Sequence, residues 1–405
     1  MSSLQKPLAL RSGSVLPNRI SKAAMSEVLA TPDGRVTPAH LQLYDTWGAS
    51  QAGLLITGNV MVDGRHINEP LVVDGLHPDN FTALKKWALL GPKHGVHIWP
   101  QLSHPGKQSP KIVNDVPLAP SAVPIDNPMF QPPRELTEDE IWDIVDRFAQ
   151  AAHRCEKAGF SGVQLHGAHG YLLSQFFSPH HNRRTDKWGG SFDNRMRFVS
   201  EVYQEIRNRT GADFNVAIKI NSSDFQKGGF TQEDSLRVAQ ALDAMGIDLI
   251  EISGGSWENP VNRRGTKEST RRREAYFLDY AEKVKSLIDV PLMVTGGFRT
   301  KAAMESAIDS GAVDIIGLAR AFAVDPYVAR NVFNDNEYTS SVQPITTGIK
   351  KVDQMAVMEI SWYTMQIHHI SQGKAPHQKA HGAFSLPQVL FNFWKNGRAV
   401  KRVRA

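Results

Sequence analysis

The sequence predicts a (β/α)8 TIM barrel with an extended lid after the third strand and a C-terminal appendage. From about residue 20 to residue 322, short β-branched or apolar runs alternate with longer amphipathic runs, as parallel strands followed by helices do. Eight such pairs fill roughly 300 residues, which is typical of a closed barrel. The first run is not followed by the Gly-x-Gly-x-x-Gly fingerprint that an open, dinucleotide-binding sheet usually has there.

Each predicted strand is short, and each is followed by a stretch with helical periodicity. One of these stretches begins at Thr137, which can form a capping box with Glu140, and ends at Gly159, a residue type that favours a helix stop. A helix is therefore expected between Thr137 and Gly159. The eight strands are predicted at residues 19–25, 53–60, 97–104, 162–169, 215–224, 248–255, 291–298 and 314–322.

Two segments lie outside the repeat. Residues 104–136 contain many prolines and are too long for a simple turn, so we expect them to form a lid over one end of the barrel. Residues 340–405 follow the last pair, which divides the chain into a barrel over 1–339 and a helical extension over 340–405 with a basic end. Packing of this extension on its own barrel is the favoured interpretation. Contact with an anionic membrane or with a second subunit is the alternative.

Composition narrows the class of protein. The chain has 405 residues, of which 41% are hydrophobic and 21% charged, as expected of a globular protein. Cys155 is the only cysteine, which excludes an internal disulfide, a thiolate zinc site and an iron–sulfur cluster held by this chain alone. Because no apolar run reaches the ~18 residues of a membrane span and no signal-peptide core precedes the barrel, a cytoplasmic location is expected.

The net charge of +5 originates from one end of the chain. Residues 371–405 hold seven Lys and Arg and no Asp or Glu, and the remainder has 39 basic against 41 acidic residues. Because the body is nearly neutral, no nucleic-acid partner is predicted. The apolar and basic end makes a homo-oligomer a further expectation.

The turns after the seventh and eighth strands suit a phosphate group. Residues just past the carboxyl ends of barrel strands converge on the active site, and the phosphate site usually lies at these two turns. In VTGGFRT, Gly296 and Gly297 would let backbone N–H groups approach a phosphate, and in IIGLARAF, Arg320 could clamp it by charge-assisted hydrogen bonds. Tight turns with a surface arginine are the structural alternative.

Two polar side chains interrupt apolar strands near the same mouth. Gln101 ends the third strand, where its amide could offer a donor and an acceptor to a heterocycle. Lys219 alternates with Ala217 and Asn221, so it should face the interior, where a cation must be paired or must stabilise negative charge on a bound group. A Schiff-base lysine and a structural ion pair both remain open.

His166, His169 and Tyr171 follow the fourth strand in the segment HGAHGY. A metal site would need a third ligand, and no Asp or Glu accompanies the pair in the strand or its turn. Two imidazole N–H donors could instead hold a carbonyl or nitro oxygen while the phenol delivers a proton to an adjacent double bond. Two ordinary loop histidines are the remaining interpretation.

At this segment the sequence resembles a known family. HGAHGYLLSQFFSPHHNRRTDKWGGSFDNRMRF is similar to the fourth-strand signature of the old yellow enzyme family of FMN-dependent oxidoreductases. The resemblance covers roughly residues 5–335, with its further segments in the family's order and spacing. Those segments are LPNRISKAAMS, ITGNV, PQLSHPGKQ, NSSDFQKGGF, VTGGFRT and ARAFAVDP.

The resemblance implies an FMN cofactor at the mouth of the barrel. It implies that Gln101 holds the pyrimidine edge of the flavin and that Lys219, where the family commonly has Arg, lies near N1 and O2. It also implies that Gly58 approaches the ring from the second strand. The residues implied to flank the ring are Ala24, Met25 and Ser26, and those implied to bind the phosphate are Gly296, Gly297, Ala319 and Arg320.

The resemblance also implies a reaction. NAD(P)H would reduce the flavin, which would then pass hydride from N5 to an activated alkene such as an enone, with nitro compounds as a second substrate class. His166 and His169 would bind the electron-withdrawing oxygen, and Tyr171 would protonate the α-carbon. Two other functions stay open at this point. One is a lyase or hydrolase that uses Lys219 as a Schiff base or the histidines as metal ligands, and the other is a flavin-bearing electron carrier or membrane-recruited partner protein.

Three residues depart from the family pattern. Ser26 stands where Thr or Cys is usual, and Val28 stands where some members place an aromatic residue over the substrate. Lys219 keeps the charge of the usual Arg but lacks its planar, bidentate geometry. The flavin environment and the pocket wall are therefore expected to differ from those of typical members.

Overall fold

A computed structural model describes residues 2–254, 278–345, 357–379 and 382–404. Eight parallel strands form a closed barrel, because the first strand pairs with both the second and the eighth. The fold class predicted from the sequence is confirmed. The strands are β1 Ile20–Lys22, β2 Leu54–Met61, β3 His97–Ser103, β4 Gly162–Gly167, β5 Asn215–Asn221, β6 Leu249–Ser253, β7 Leu292–Thr295 and β8 Ile315–Leu318.

Helices connect successive strands and pack around the sheet. The predicted capping box is present in α4, where Thr137 accepts from the backbone N–H of Glu140, and Gly159 ends this helix with φ of +100°. The described helices in and around the barrel are α1 Pro38–Gly48, α2 Phe81–Ala88, α3 Leu90–His94, α4 Glu138–Ala158, α5 Leu172–Phe177, α6 Phe192–Arg209, α7 Gln232–Met245, α8 Leu278–Lys285, α9 Lys301–Asp309, α10 Arg320–Val324 and α11 Val328–Asn334.

The eighth strand ends earlier than the sequence predicts. The last paired residue of β8 is Leu318, which lies opposite Lys22 of β1. Ala319 then turns the chain with φ of −110° and ψ of −80°, and α10 begins at Arg320. The predicted sixth strand extended to Gly255, which lies outside the described residues.

Alternation along the strands separates the barrel interior from the surrounding helices. On β5, Ala217 belongs to the cluster inside the barrel, whereas Ile218 belongs to the cluster between sheet and helices. A short antiparallel hairpin, Leu8–Ala9 with Val15–Leu16, contributes two leucines to the interior cluster. Lys219 lies two residues beyond Ala217 and therefore faces the same interior, nearer the carboxyl ends of the strands.

The predicted lid over residues 104–136 is an ordered excursion with little regular structure. Strand Leu118–Ala119 pairs in parallel with strand Arg134–Glu135, and Pro110 forms an isolated bridge with Phe130. Val113 joins a small buried cluster with Ile67 from the loop after β2. This cluster, which we call the lid cluster, consists of Met61, Ile67, Val72, Val113 and Val400.

The C-terminal extension folds back onto the barrel. Helix α12, Val357–Ser371, packs against α1 and α10, and helix α13, Gly382–Arg404, packs against α12. Val400 of α13 is fully buried in the lid cluster, while Phe391 and Trp394 remain 60% and 50% exposed. A domain boundary at residue 340 stays a prediction. Within the described ranges, no helix is long and apolar enough to cross a membrane.

Candidate active site

A chain of buried polar side chains crosses the barrel below its carboxyl-terminal mouth. Nε2 of Gln101 on β3 donates to Oε1 of Gln164 on β4 at 2.7 Å. Nε2 of Gln164 in turn donates to Oε2 of Glu251 on β6, also at 2.7 Å. Each of these side chains occupies an inward position two residues beyond an apolar or glycine position of its strand. Because side chains alternate between the two faces of each strand, polar groups from separate parts of the sequence come together inside the barrel.

Lys219 forms an ion pair with Glu251, the last member of this series of hydrogen-bonded side chains. Its Nζ lies 2.8 Å from Oε1 of Glu251, and neither side chain is more than 4% exposed. The hydroxyl of Thr295 on β7 also donates to Oε1 of Glu251, at 2.7 Å. Lys219 is thus engaged in an ion pair with Glu251, which does not favour its use as the Schiff-base amine of a lyase. Sequence reasoning had not identified Gln164, Glu251 or Thr295.

His166 is buried and neutral. Burial first, and then the nearby charge of Lys219, hold the pKa of His166 well below its usual range. Its Nδ1 accepts a hydrogen bond from the backbone N–H of Ala168 at 3.4 Å, so in the neutral ring Nε2 carries the hydrogen. His166 is therefore a neutral N–H donor at the mouth.

His169 is fixed by three hydrogen bonds in an unusual backbone conformation. Its φ is +60°, a left-handed value that costs a non-glycine residue about 1–3 kcal/mol. Its N–H donates to Oδ1 of Asn221 at 3.1 Å, and its carbonyl accepts from Nε2 of Gln108 at 2.8 Å. Its Nε2 lies 2.8 Å from Oγ of Ser253, and its ring stands edge-on to that of His166 with centroids 5.2 Å apart.

Tyr171 lies beside the histidines, at the start of α5. Its ring centroid is 4.4 Å from that of His166, and its side chain is largely buried. Nδ2 of Asn68 donates to Oη of Tyr171 at 3.1 Å. Asn68 could not be placed here from sequence reasoning, because it lies in the long loop after β2. The only available signal was a polar Asn-Glu pair in a loop that leaves the mouth-facing end of a strand.

Glu69 follows Asn68 and lies beside Ser26 of the loop predicted to flank the flavin. Burial raises the pKa of Glu69 to about 7, and this outweighs the opposing effect of hydrogen bonds from Ser26 and Asn68. Its Oε1 lies 3.4 Å from Nδ2 of Asn68. The mouth thus carries a carboxyl group that changes its charge near neutral pH.

The turns after β7 and β8 have the backbone that a phosphate site needs. Gly296 and Gly297 adopt φ of +127° and +98°, values that side chains rarely permit, and both are only half-buried. Ala319 and Arg320 at the start of α10 are also half-buried. The guanidinium of Arg320 lies 5.9 Å from the ring centroid of Tyr363 on α12, so the C-terminal extension contacts this turn.

The loop after β1 carries the residues predicted to flank the flavin. Ala24, Met25 and Ser26 are half-buried and begin two residues after the end of β1 at Lys22. A Cβ on Gly58 would lie 2.6 Å from the carbonyl oxygen of Met25, so the glycine is required for packing of the chain itself. The N–H of Gly58 donates to the carboxylate of Glu27 at 2.9 Å, which joins the loop to β2.

The structure brings the predicted residues together in three groups. Gln101 and Lys219 are connected through Gln164 and Glu251, while His166, His169 and Tyr171 form a cluster of neighbouring rings. The glycine turn and Arg320 lie at the ends of adjacent strands. Within the described ranges, no group of three or more His, Cys, Asp or Glu residues has a geometry that could hold a metal ion.

A closed barrel with an amide, a cation and a glycine-rich turn at one mouth belongs to the class of (β/α)8 enzymes that bind a phosphorylated cofactor. The residues fit FMN, because a phosphate can approach the half-buried glycine turn while the amide of Gln101 and the cation of Lys219 can face a polar ring edge.

Comparison with known proteins identifies the family. The model of the NADH:flavin oxidoreductase / NADH oxidase family matches residues 3–339. The NADH-dependent flavin oxidoreductase nadA of Aspergillus parasiticus is 39% identical over 334 residues, which cover 78% of this chain and 75% of that protein. The NADH-dependent flavin oxidoreductase iccE of Talaromyces variabilis is 36% identical over 364 residues, which cover 84% and 88% of the two chains.

A solved structure agrees at the level of the fold. The old yellow enzyme homologue of Zymomonas mobilis aligns with a TM-score of 0.71 at 24% identity, over 87% of this chain and 99% of that chain. This chain belongs to the NADH:flavin oxidoreductase / NADH oxidase family. It is therefore an oxidoreductase with FMN as its cofactor and NADH or NADPH as its hydride donor.

Proposed function

We propose that this enzyme reduces activated C=C bonds of small molecules, with enones as the principal substrates and nitro compounds as a second class. The observation that carries the proposal is the cluster of the His166, His169 and Tyr171 rings, which we call the ring cluster. In it, a neutral N–H donor on His166 stands beside the phenol of Tyr171. A carbonyl oxygen needs a donor that polarises the double bond, and the α-carbon needs a proton. The cluster offers both within one pocket.

FMN, when bound, supplies the hydride chemistry. In the proposed placement, Gln101 and Lys219 face the pyrimidine edge of the flavin, Ala24, Met25 and Ser26 flank the ring, and Gly58 lies behind this loop. Gly296, Gly297, Ala319 and Arg320 bind the phosphate. The other groups act on the substrate.

His166 and His169 hold the electron-withdrawing oxygen of the substrate. His166 acts as a neutral donor, and the three hydrogen bonds to His169 fix its position before the substrate arrives. Tyr171 then delivers a proton from Oη to the α-carbon. The hydrogen bond from Asn68 stabilises the phenolate that this transfer leaves behind.

Separate measurement of the two half-reactions tests the proposal. Without oxygen, NADH or NADPH should bleach the yellow spectrum of the purified protein, and 2-cyclohexenone should restore it. In Tyr171→Phe, reoxidation by the enone should slow by a factor on the order of 100, the lower part of the range for general acid catalysis, while bleaching proceeds as before. Tyr327→Phe, a half-buried tyrosine outside the ring cluster, serves as the control.

Two outcomes would overturn the proposal. Equal loss of both half-reactions in Tyr171→Phe would remove the assigned role of the phenol. Reoxidation by oxygen but not by any enone or nitro compound would contradict the proposed substrate class. It would not contradict the assignment of the protein as a flavin oxidoreductase.

A further inference from the structure

The direction of every hydrogen bond in the barrel-crossing chain is set by Glu251. An ionised carboxylate only accepts hydrogen bonds, so Gln164 must turn its amide nitrogen toward Glu251. The carbonyl oxygen of Gln164 then faces Gln101, which must present its own nitrogen to it. Gln101 is left with one N–H and its carbonyl oxygen for another partner. The orientation of the Gln101 amide is thus determined by Glu251, through the two hydrogen bonds of Gln164.

Glu251 also determines the electrostatic character of Lys219. The carboxylate lies 2.8 Å from the amine, and both groups are almost completely removed from solvent. A group bound beside Lys219 would therefore interact with an ion pair rather than with an isolated cation. Because water does not screen charges so close together in the interior, the carboxylate weakens the field of the amine.

We propose that Glu251 is a positioning residue that sets the reduction potential of FMN by moderating the charge of Lys219 and by orienting Gln101. The inference rests on the proposed placement of FMN beside Gln101 and Lys219. Reduction adds negative charge to the ring system, so a stronger positive field raises the potential and a stronger negative field lowers it. Loss of the carboxylate should raise the potential, and loss of the amine should lower it.

Anaerobic spectroscopic titration of the holoenzyme against a reference dye measures this potential without any turnover. In Glu251→Gln we expect about a tenfold shift of the two-electron equilibrium toward reduced flavin, which corresponds to about 30 mV. In Lys219→Gln the shift should be in the opposite direction. Glu135→Gln changes an exposed carboxylate that pairs with Arg184 and takes no part in the hydrogen bonds across the barrel, so it should leave the potential unchanged.

A second pair of variants keeps every charge in place, in case Glu251→Gln does not fold with Lys219 unpaired. Thr295→Val removes one of the hydrogen bonds that disperse the charge of Glu251, so the potential should fall. Thr295→Ser retains the hydroxyl and should behave like the wild type. A fall in both variants would indicate disturbance of the adjacent glycine turn and would contradict the inference.

The outcomes distinguish this inference from the placement on which it rests. An unchanged potential in Lys219→Gln would refute the placement of FMN. A lowered potential in Lys219→Gln, with no change in either Glu251→Gln or Thr295→Val, would uphold the placement and refute the role of Glu251.

Discussion

Nδ2 of Asn68 donates a hydrogen bond to the phenolic oxygen of Tyr171, with the two atoms 3.1 Å apart. The donor comes from the loop after β2, and the phenol from the start of α5. A donor to the phenol oxygen stabilises the phenolate more than the neutral phenol, because hydrogen bonds to charged groups are stronger. Tyr171 is thereby prepared to release a proton.

Replacement of Asn68 by leucine, which has a similar shape, should slow proton delivery. A hydrogen bond to a charged group contributes about 1.5–3 kcal/mol, so we expect reoxidation by an enone to slow by roughly 10- to 100-fold. Stopped-flow absorbance resolves this step from flavin reduction, which should keep its rate. Asn208→Leu on the exposed side of α6 is the matched control. An unchanged reoxidation rate would show that the contact with Tyr171 has no role in the reaction.

The raised pKa of Glu69 should make the folding stability depend on pH. The folded protein binds the proton of Glu69 more tightly than the unfolded chain, because burial raises the pKa to about 7 from its ordinary value of 4.5. Stability should therefore fall as the pH rises from 4.5 through about 7, as the raised pKa requires. In Glu69→Gln this contribution is absent, so the variant should gain in Tm relative to the wild type between pH 5 and pH 8. Glu337→Gln, an exposed carboxylate, should follow the wild type at every pH.

The sequence predicted the barrel because its signals are local. Apolar runs of strand length and the Thr137–Glu140 capping box can be recognised without knowledge of any distant contact. The partner of Lys219 could have been inferred from alternation, since Leu249 and Glu251 repeat the inward pattern of Ala217 and Lys219. Parallel pairing between β5 and β6 places the two charged residues side by side.

Asn68 could not be found in this way. Its loop has no periodicity, and its position depends on the lid cluster, in which Ile67 packs against Val113 and Val400. Val400 lies more than 300 residues further along the chain, so no local pattern connects it with the mouth. Such contacts are specified by tertiary packing, which outweighs local propensity in loops.

Ser253 is predicted to affect substrate binding through His169. Its hydroxyl lies 2.8 Å from Nε2 of His169, the ring proposed to hold the substrate oxygen. Loss of a neutral hydrogen bond of about 0.5–1.5 kcal/mol in Ser253→Ala should raise the KM for an enone roughly 2- to 10-fold. The rate of flavin reduction should change little. A normal KM combined with a lower kcat would show that Ser253 acts after substrate binding.

Substitution of Gly58 is predicted to disturb the flavin-flanking loop by a steric clash. In Gly58→Ala, the added Cβ would lie 2.6 Å from the carbonyl oxygen of Met25 and 3.0 Å from Cδ of Glu27. Such overpacking costs about 1–3 kcal/mol and should displace the loop that bears Ser26. We expect a lower Tm and weaker retention of FMN on a desalting column. Gly211→Ala, where the nearest atom is the carboxylate of Glu156 at 3.3 Å, is the control and should retain FMN fully.

The C-terminal extension is predicted to support cofactor binding through His368. Nε2 of His368 on α12 lies 2.8 Å from the carbonyl oxygen of Glu27, directly after Ser26. Because a carbonyl oxygen only accepts hydrogen bonds, this ring nitrogen must be the donor. Burial lowers the pKa of His368, so the bond does not depend on a charged imidazole near neutral pH. His368→Ala should therefore weaken FMN binding by roughly 2- to 10-fold, as loss of one neutral hydrogen bond implies.

His368→Gln provides the sharper comparison, since its amide can donate to the same carbonyl and should restore much of the affinity. His369→Ala removes the neighbouring half-buried imidazole and should leave binding unchanged. Fluorescence titration of the apoprotein with FMN measures all three dissociation constants. Equal weakening in His368→Ala and His369→Ala would mean that α12 acts through its general packing on α1 and α10, and not through the contact with Glu27.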